Sequence, residues 1–140
     1  MQAKNMASKK NGSLDTNVLL RLILGDVPTQ AEAVEKLLKP GSLFDGSDIT
    51  IIEMIFVLEK IYKLPRTLIQ ENIFTIINHP SIACNRKLFS QTLPLYSGNQ
   101  KLSIIDCALS KYAELSKATP LYTFDIALAK TCTTTTQILT

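Results

Sequence analysis

Residues 14–25 have the sequence LDTNVLLRLILG, which places the end of a strand, an acidic residue and a short apolar helix in immediate succession. Leu14 is predicted to end the strand, and the helix is predicted to run from Asn17 to Leu24 before Gly25 closes it. Strands and helices are predicted to alternate in this way along almost the whole chain. The alternation predicts an α/β fold with three layers, α/β/α, around a central, mainly parallel sheet of four to five strands.

The other predicted elements follow from apolar periodicity and from proline and glycine at segment ends. Helices are predicted over residues 28–38, 50–62, 65–78, 86–96, 104–116 and 126–130, and strands over residues 42–49, 81–84, 120–124 and 133–139. Ligands of such sheets gather outside the carboxyl ends of the parallel strands. The functional residues are therefore expected where strands end and the following helices begin.

Length and apolar content fit one globular domain. The chain has 140 residues, and residues 13–140 are predicted to form a single domain after a disordered polar tail, MQAKNMASKKNG, at residues 1–12. The tail has no apolar segment typical of a secretion signal. Arg21 and Glu53 interrupt the longest apolar runs well short of the roughly 18 residues that a membrane-spanning helix needs, so no membrane association is expected.

Cysteine and charge content add two weaker constraints. Cys84, Cys107 and Cys132 are odd in number and widely spaced, which argues against a disulfide framework and against a thiolate zinc site. A reducing, cytoplasmic location is the simplest expectation. The formal net charge of +3 is compatible with a nucleic-acid partner without requiring one.

Four acidic residues lie in apolar surroundings: Asp15 in LDTNVLL, Glu53 in ITIIEMIFVLEKIY, Asp106 in LSIIDCALSKYA and Asp125 in LYTFDIALAK. A carboxylate in such a segment needs a cation or a hydrogen-bond partner to offset its desolvation. Two of the acids are predicted to follow strands and two to open helices, so an α/β fold can bring all four to one edge of the sheet. Because hard cations prefer oxygen ligands, the sequence predicts a carboxylate pocket for Mg²⁺ or Mn²⁺.

Each acid also has a purely structural interpretation. Thr50 to Glu53 and Ser103 to Asp106 both match a capping box, in which the carboxylate bonds the backbone N–H of the cap residue. Asp125 is a candidate N-cap of the helix over residues 126–130, and Asp15 a candidate turn former beside Asn17. These interpretations explain each acid separately, but they do not require the four to converge.

Four stretches, SLDTNVLLRLIL, ITIIEMIFVLEKIYKLPR, LSIIDCALSKYAE and LYTFDIALAK, resemble in this order the PIN-domain ribonucleases, and the VapC-type toxins are the branch they resemble most. The resemblance spans residues 13–130. It implies a PIN-like fold in which the four acids are catalytic and bind metal, with Asn17, Ser103 and Thr123 as supporting polar groups. Two departures are visible: KKNGSL before Asp15 is more polar than the family's first strand, and Ser103 stands where many relatives have a further acid.

The resemblance also implies an activity and partners. The chain would be a Mg²⁺- or Mn²⁺-dependent endoribonuclease that hydrolyses RNA phosphodiesters and acts as the toxin of a toxin–antitoxin pair. A cognate antitoxin would occupy the acidic groove, often with an arginine directed at the carboxylates. A homodimer formed through helix faces is expected as well.

Other functions remain open at this level. A catalytically weak PIN-like module that captures RNA or a protein is the main alternative. A phosphatase of the haloacid-dehalogenase type is disfavoured because Asn17 stands where that enzyme needs a second aspartate. A receiver-type phosphoacceptor domain is disfavoured because Asp125, rather than lysine, follows the late strand.

Basic residues offer few further clues to substrate contact. Arg66, Arg86, Lys87 and Lys101 are candidate contacts to RNA phosphates, although scattered basic residues more often form a solvated surface.

Aromatic residues and the single histidine are assigned structural places. Phe56, Tyr62, Phe74 and Tyr112 lie at helical positions suited to core packing rather than to base stacking. His79 precedes Pro80 in a predicted loop and is expected at the surface.

Overall fold

The computed structural model describes residues 9–140, so the predicted tail falls largely outside the described residues. Seven helices and five strands occur within this range. The helices are α1 (Thr16–Leu24), α2 (Pro28–Leu37), α3 (Asp48–Lys60), α4 (Arg66–Ile77), α5 (Arg86–Gly98), α6 (Ile104–Leu115) and α7 (Ile126–Thr131), and the strands are β1 (Gly12–Ser13), β2 (Phe44–Asp45), β3 (Ile82–Ala83), β4 (Leu121–Thr123) and β5 (Thr136–Ile138). The predicted α/β alternation is confirmed.

All strand pairings are parallel, as predicted, but the five strands are divided between two sheets. The order in the first is β1-β2-β3, with Gly12 opposite Phe44 and Phe44 opposite Ile82. The second contains β4 and β5, with Leu121 opposite Thr136. Each strand is only two or three residues long and offers few ladder hydrogen bonds, so a single continuous sheet does not form.

The start of α3 is the boundary that matters most for the site. Gly46 directly follows β2, and its N–H donates to the carbonyl of Ala83 at 2.8 Å. Ser47 then caps the helix, with its Oγ accepting from the N–H of Thr50 at 3.2 Å. The predicted start at Thr50 is therefore two residues late. Glu53 lies in the second turn rather than the first, and its predicted capping box with Thr50 is wrong.

Buried aliphatic side chains from the helices and the first sheet form one core. The fully buried side chains include Leu19, Ile51, Met54, Ile55, Leu58, Ile69, Ile73, Phe89 and Tyr96. Phe74 and Tyr112 pack against this core, as predicted, whereas Phe56 and Tyr62 are exposed on and just beyond α3. The core prediction for those two residues is wrong: among residues 9–140 no element covers the face of α3 that carries Phe56, and Tyr62 lies beyond the end of α3.

Residues that precede β1 are bound to β2. The N–H of Asn11 donates to the carbonyl of Leu43 at 2.6 Å, and the Asn11 side chain accepts from the N–H of Leu43 at 2.8 Å. Lys10 forms an ion pair with Asp45 at 2.8 Å. These contacts extend the edge of the first sheet and fix the approach of the chain to Asp15.

Arg66 is buried, with 6% of its surface exposed, and it joins α4 to the loop between α5 and α6. Its Nη1 donates to the carbonyl oxygens of Tyr96, Asn99 and Leu102 at 2.8, 3.0 and 2.7 Å. Its Nε donates to Glu59 at 3.1 Å, and its guanidinium carbon lies 4.2 Å from the centre of the Tyr96 ring. Because every contact is internal, the predicted role of Arg66 in binding phosphate is wrong.

Glu59 and Tyr96 complete this cluster. The Tyr96 hydroxyl donates to Glu59 Oε1 at 2.7 Å. Burial opposes ionisation of Glu59, but the hydrogen bonds from Tyr96 and Arg66 outweigh it, so the pKa of Glu59 is lowered. Burial, followed by the carboxylate of Glu59, raises the pKa of Tyr96. An ionised, hydrogen-bonded Glu59 therefore balances the buried Arg66 charge.

The remaining predicted surface residues have simpler contacts. Arg86 is exposed and donates to the carbonyl of Ile77 at 2.8 Å, while Lys87 and Lys101 are exposed. His79 is half-buried and accepts from the N–H of Ser81 at 3.0 Å, which holds the turn before β3. Within residues 9–140, no helix combines the length and apolarity that crossing a bilayer requires.

Candidate functional site

Asp15 lies at the carboxyl end of β1, where it caps α1. The N–H of Leu14 donates to the carbonyl of Asp45 at 2.9 Å, so the chain leaves the sheet at this point. Asp15 has an extended backbone, and its Oδ1 accepts from the N–H of Val18 at 3.1 Å. This bond satisfies one free N–H of the helix start. The carboxylate is exposed, so the capping contact does not remove it from the surface.

Glu53 is drawn to the same place by the packing of α1 against α3. The hydroxyl of Thr16 donates to Glu53 Oε1. Since Thr16 directly follows Asp15, this hydrogen bond brings the first two predicted acids into one neighbourhood. Thr16 was not among the predicted site residues, although a hydroxyl directly after the first acid is the sequence signal that could have identified it.

Asp106 forms the capping box that its sequence suggested. Its N–H donates to Ser103 Oγ at 3.0 Å, and its Oδ2 accepts from the N–H of Ser103 at 3.1 Å. The half-buried carboxylate is thereby oriented at the first turn of α6. The next residue, Cys107, is buried, and burial raises the pKa of its thiol to about 12, so it is protonated at neutral pH.

Asp125 follows β4 and caps α7, as its structural interpretation proposed. Its Oδ1 accepts from the N–H of Leu128 at 2.9 Å, and its own N–H donates to the Thr123 hydroxyl at 2.9 Å. Thr123 thus fixes the backbone of Asp125. The carboxylate is exposed like that of Asp15.

A groove of about 410 Å³ lies between the loop before α6 and α7, the helix that Asp125 caps. Lys101, from the loop before Ser103, lines the groove together with Ile126 and Lys130 from α7. The loop before α6 therefore lies beside the helix that Asp125 begins. Asn17 lies elsewhere, in a shallow cavity of about 330 Å³ that it lines with Asp15 and residues of α2.

Two further acids near the strand ends were not predicted. Asp45 ends β2, and Asp48 begins α3. The hydroxyl of Tyr112 on α6 donates to Asp48, which links the start of α3 to α6. Burial and then this hydrogen bond raise the pKa of Tyr112 to about 12, so Tyr112 remains a donor at neutral pH. Aspartate at the end of a strand or at the start of the next helix is the signal that identifies such positions.

The four predicted acids have carboxylate oxygens, which are the ligands that hard cations prefer. In each acid one carboxylate oxygen accepts a hydrogen bond, which orients the side chain. The hydrogen bond from Thr16 brings Glu53 to the start of α1, where Asp15 lies, and the helix α6 of Asp106 contacts β4, the strand before Asp125. Within the described residues, however, no three histidine, cysteine or acidic residues are gathered closely enough to hold one ion. Convergence of all four acids stays a prediction.

The family model of the PIN domain matches residues 13–134. The match covers most of the chain and all four predicted acids, and the chain therefore belongs to the PIN domain family. Proteins of this family are generally nucleases and usually use divalent metals. No curated protein and no solved structure matches the chain.

We expect Asp106→Asn to separate the capping role of this residue from a catalytic one. The asparagine oxygen can still accept from the N–H of Ser103, so the free energy of unfolding should fall by less than about 1 kcal/mol. Ser103→Ala, which removes the hydroxyl acceptor, should cost about 1 kcal/mol. Urea unfolding of both variants and cleavage assays of Asp106→Asn check this. If the Asp106→Asn protein is folded and cleaves RNA as fast as the wild type, Asp106 has no catalytic role and only caps α6.

Proposed function

We propose that this chain is a Mg²⁺- or Mn²⁺-dependent endoribonuclease that hydrolyses RNA phosphodiesters, and that it is the toxin of a toxin–antitoxin pair related to the VapC type. Membership of the PIN domain family supports a nuclease. The observation that carries the proposal is the hydrogen bond from Thr16 to Glu53. It shows that Glu53 does not cap its own helix but extends toward the helix that Asp15 begins.

The residues have distinct roles in this proposal. Asp15, Glu53, Asp106 and Asp125 would hold the metal, which when bound supplies an activated water near neutral pH and neutralises charge on the phosphate. Thr16 orients Glu53 through its hydroxyl.

Two other polar groups prepare the acids. Ser103 holds Asp106 in its rotamer, and Thr123 fixes the backbone N–H of Asp125. These contacts exist before substrate binds, so little reorganisation is needed to present the carboxylates. Asn17 remains a proposed supporting group beside Asp15.

Protein partners belong to the same proposal. Ile49 and Phe56 are 81% and 50% exposed on α3, and they lie four residues before and three residues after Glu53. At that spacing all three share one helix face. An antitoxin segment that covers this apolar face and places an arginine at the acids, or a second copy of the chain, would bury it.

Cleavage of a panel of structured and unstructured RNAs tests the activity. We expect cutting with Mn²⁺ or Mg²⁺ and none with EDTA, and an identically purified Asp15→Asn protein controls for contaminating nuclease. Tight RNA binding without cutting in any of these conditions would instead support the alternative, a catalytically weak PIN-like binding module.

A further inference from the structure

The hydrogen bond between Tyr112 and Asp48 joins two helices that each carry a proposed metal-binding acid. Tyr112 lies on α6, six residues after Asp106, and its hydroxyl donates to the carboxylate of Asp48. Asp48 is the first residue of α3, five residues before Glu53. Both partners are half-buried, and partial exclusion of water strengthens such a bond. Neither partner is one of the four acids, yet their bond fixes the helix of one acid against the helix of another.

A second link, at the other end of α3, shows how the two helices run. Glu59, near the end of α3, accepts a hydrogen bond from Nε of Arg66 at 3.1 Å. Nη1 of the same guanidinium donates to the carbonyl of Leu102 at 2.7 Å, and Leu102 lies two residues before α6 begins. The end of α3 is therefore close to the start of α6, whereas the start of α3 is bonded to Tyr112 in the second half of α6. The two helices, which also contact each other directly, are antiparallel.

This direction brings Glu53 and Asp106 to corresponding levels of the helix pair. At a rise of about 1.5 Å per residue, Glu53 lies about 7.5 Å along α3 from Asp48. Asp106 lies about 9 Å along α6 from Tyr112, in the same direction because the helices are antiparallel. At about 100° per residue, the two acids are also turned by about 140° and about 120° from the partners of the bond. In an antiparallel pair both rotations lead to the same side, so this register gives Glu53 and Asp106 one common flank.

We propose that Tyr112 is a positioning residue for metal binding. Its bond to Asp48 holds α6 against α3 in the register that presents Glu53 and Asp106 to a divalent cation. The inference rests on the proposed ribonuclease function and names a residue, outside the four acids, on which that function depends. Tyr112 acts through Asp48 and the helix axes, and it touches neither metal nor RNA in this role. The effect can be large, because a displacement of about 1 Å at a catalytic group can cost about 100-fold in rate.

Mn²⁺ binding measured without RNA tests this role apart from cleavage. Calorimetric titration with MnCl₂ gives the Kd, and the rise in Tm on addition of Mn²⁺ provides an independent readout. Tyr112→Phe removes only the hydroxyl, and it should raise the Kd for Mn²⁺ by about 10-fold or more in a protein with an unchanged circular dichroism spectrum. At saturating Mn²⁺, kcat for RNA cleavage should fall by about 10- to 100-fold while KM for RNA stays the same.

Variants of Asp48 show whether the bond itself is responsible. Asp48→Ala removes the acceptor and should have the same effect as Tyr112→Phe. The double variant should be no worse than either single variant, because each change breaks the same bond. Asp48→Asn keeps an oxygen that accepts from Tyr112, so it should restore Mn²⁺ binding. If Tyr112→Phe does not fold, the comparison of Asp48→Ala with Asp48→Asn measures the role in its place.

Tyr122→Phe is the matched control, because it removes the same hydroxyl from a ring on β4 that is 58% exposed. Its Kd for Mn²⁺ and its kcat should equal those of the wild type. A purely structural contact between Tyr112 and Asp48 would lower the Tm of Tyr112→Phe and leave the Kd for Mn²⁺ unchanged.

The outcomes separate this role from the ribonuclease itself. Equal Kd values for Mn²⁺ in Tyr112→Phe and Tyr122→Phe would overturn the positioning role, and normal metal-dependent cleavage by the wild type would then leave the ribonuclease intact. Weaker Mn²⁺ binding by Tyr112→Phe, with no RNA cleavage by the wild type, would overturn the ribonuclease and retain the positioning role. A wild type that neither binds Mn²⁺ nor cleaves RNA would overturn both.

Discussion

Asp15→Asn is expected to lower metal-dependent RNA cleavage by about 100-fold or more while the protein stays folded. The substitution removes a negative charge from the exposed carboxylate that follows β1. Asparagine caps helices about as well as aspartate, so the bond from the N–H of Val18 has an equivalent acceptor. Initial rates on one RNA, with urea unfolding of the same preparations, measure both effects.

Glu35→Gln provides the matched control for charge. Glu35 is an exposed acid on α2, and its removal changes the net charge by the same amount without touching a proposed site residue. We expect its cleavage rate to match that of the wild type. Equal rates for the wild type and Asp15→Asn would exclude Asp15 from catalysis, whereas loss of folding in Asp15→Asn would show that its capping contact is the dominant role.

Arg66→Met is expected to lower the free energy of unfolding by about 3–5 kcal/mol, which corresponds to a fall in Tm of about 10 °C or more. The change removes a buried cation and the hydrogen bond that it donates to Glu59. It also leaves the carbonyl oxygens of Tyr96, Asn99 and Leu102 without the donor that they share. Chemical and thermal unfolding followed by circular dichroism measure the loss.

Arg86→Met is the control for this effect, because Arg86 is exposed and makes one hydrogen bond to a carbonyl. Its cost should stay below about 1.5 kcal/mol. A second check uses pH: because the folded-state pKa of Glu59 is lowered from 4.5, its ionisation stabilises the fold above that value. The advantage of the wild type over Glu59→Gln should therefore disappear as the pH falls below 4.5. Equal stability of Arg66→Met and Arg86→Met would contradict the assigned role.

Helix positions were predictable because they depend on local periodicity and end signals, whereas the places of long polar side chains were not. Pro65 and the apolar spacing correctly placed α4. Arg66 at its start resembled a surface cation, since nothing local indicates that carbonyls some 30 residues later converge on it. The exposure of Phe56 was also not predictable from local sequence. It depends on tertiary packing, because no other element within residues 9–140 covers that face of α3.

The candidate site shows where identical local patterns have different outcomes. Both capping-box sequences were plausible, but only Ser103 and Asp106 form one. In the other, Ser47 lies three residues before Thr50 and takes the cap, because the backbone of Gly46 is held by Ala83 of β3. A side chain at Gly46 would lie 3.1 Å from a methyl carbon of Ile82, so this turn depends on glycine and on sheet pairing. Because of these tertiary contacts Asp106 caps its own helix, whereas Glu53 accepts a hydrogen bond from Thr16 of α1.

The division of the strands into two sheets has a consequence for motion. In the second sheet the side chains of Tyr122, Gln137 and Ile138 are exposed. The adjoining helix α7 has six residues, of which Leu128 is buried. The first sheet instead contains buried Phe44 and Ile82 and is packed by α4. Since the free energy of local opening follows buried apolar contact, the unit of β4, α7 and β5 is expected to open at lower cost than the first sheet. Asp125 is therefore carried by a segment with more freedom to adjust its position than the first sheet has.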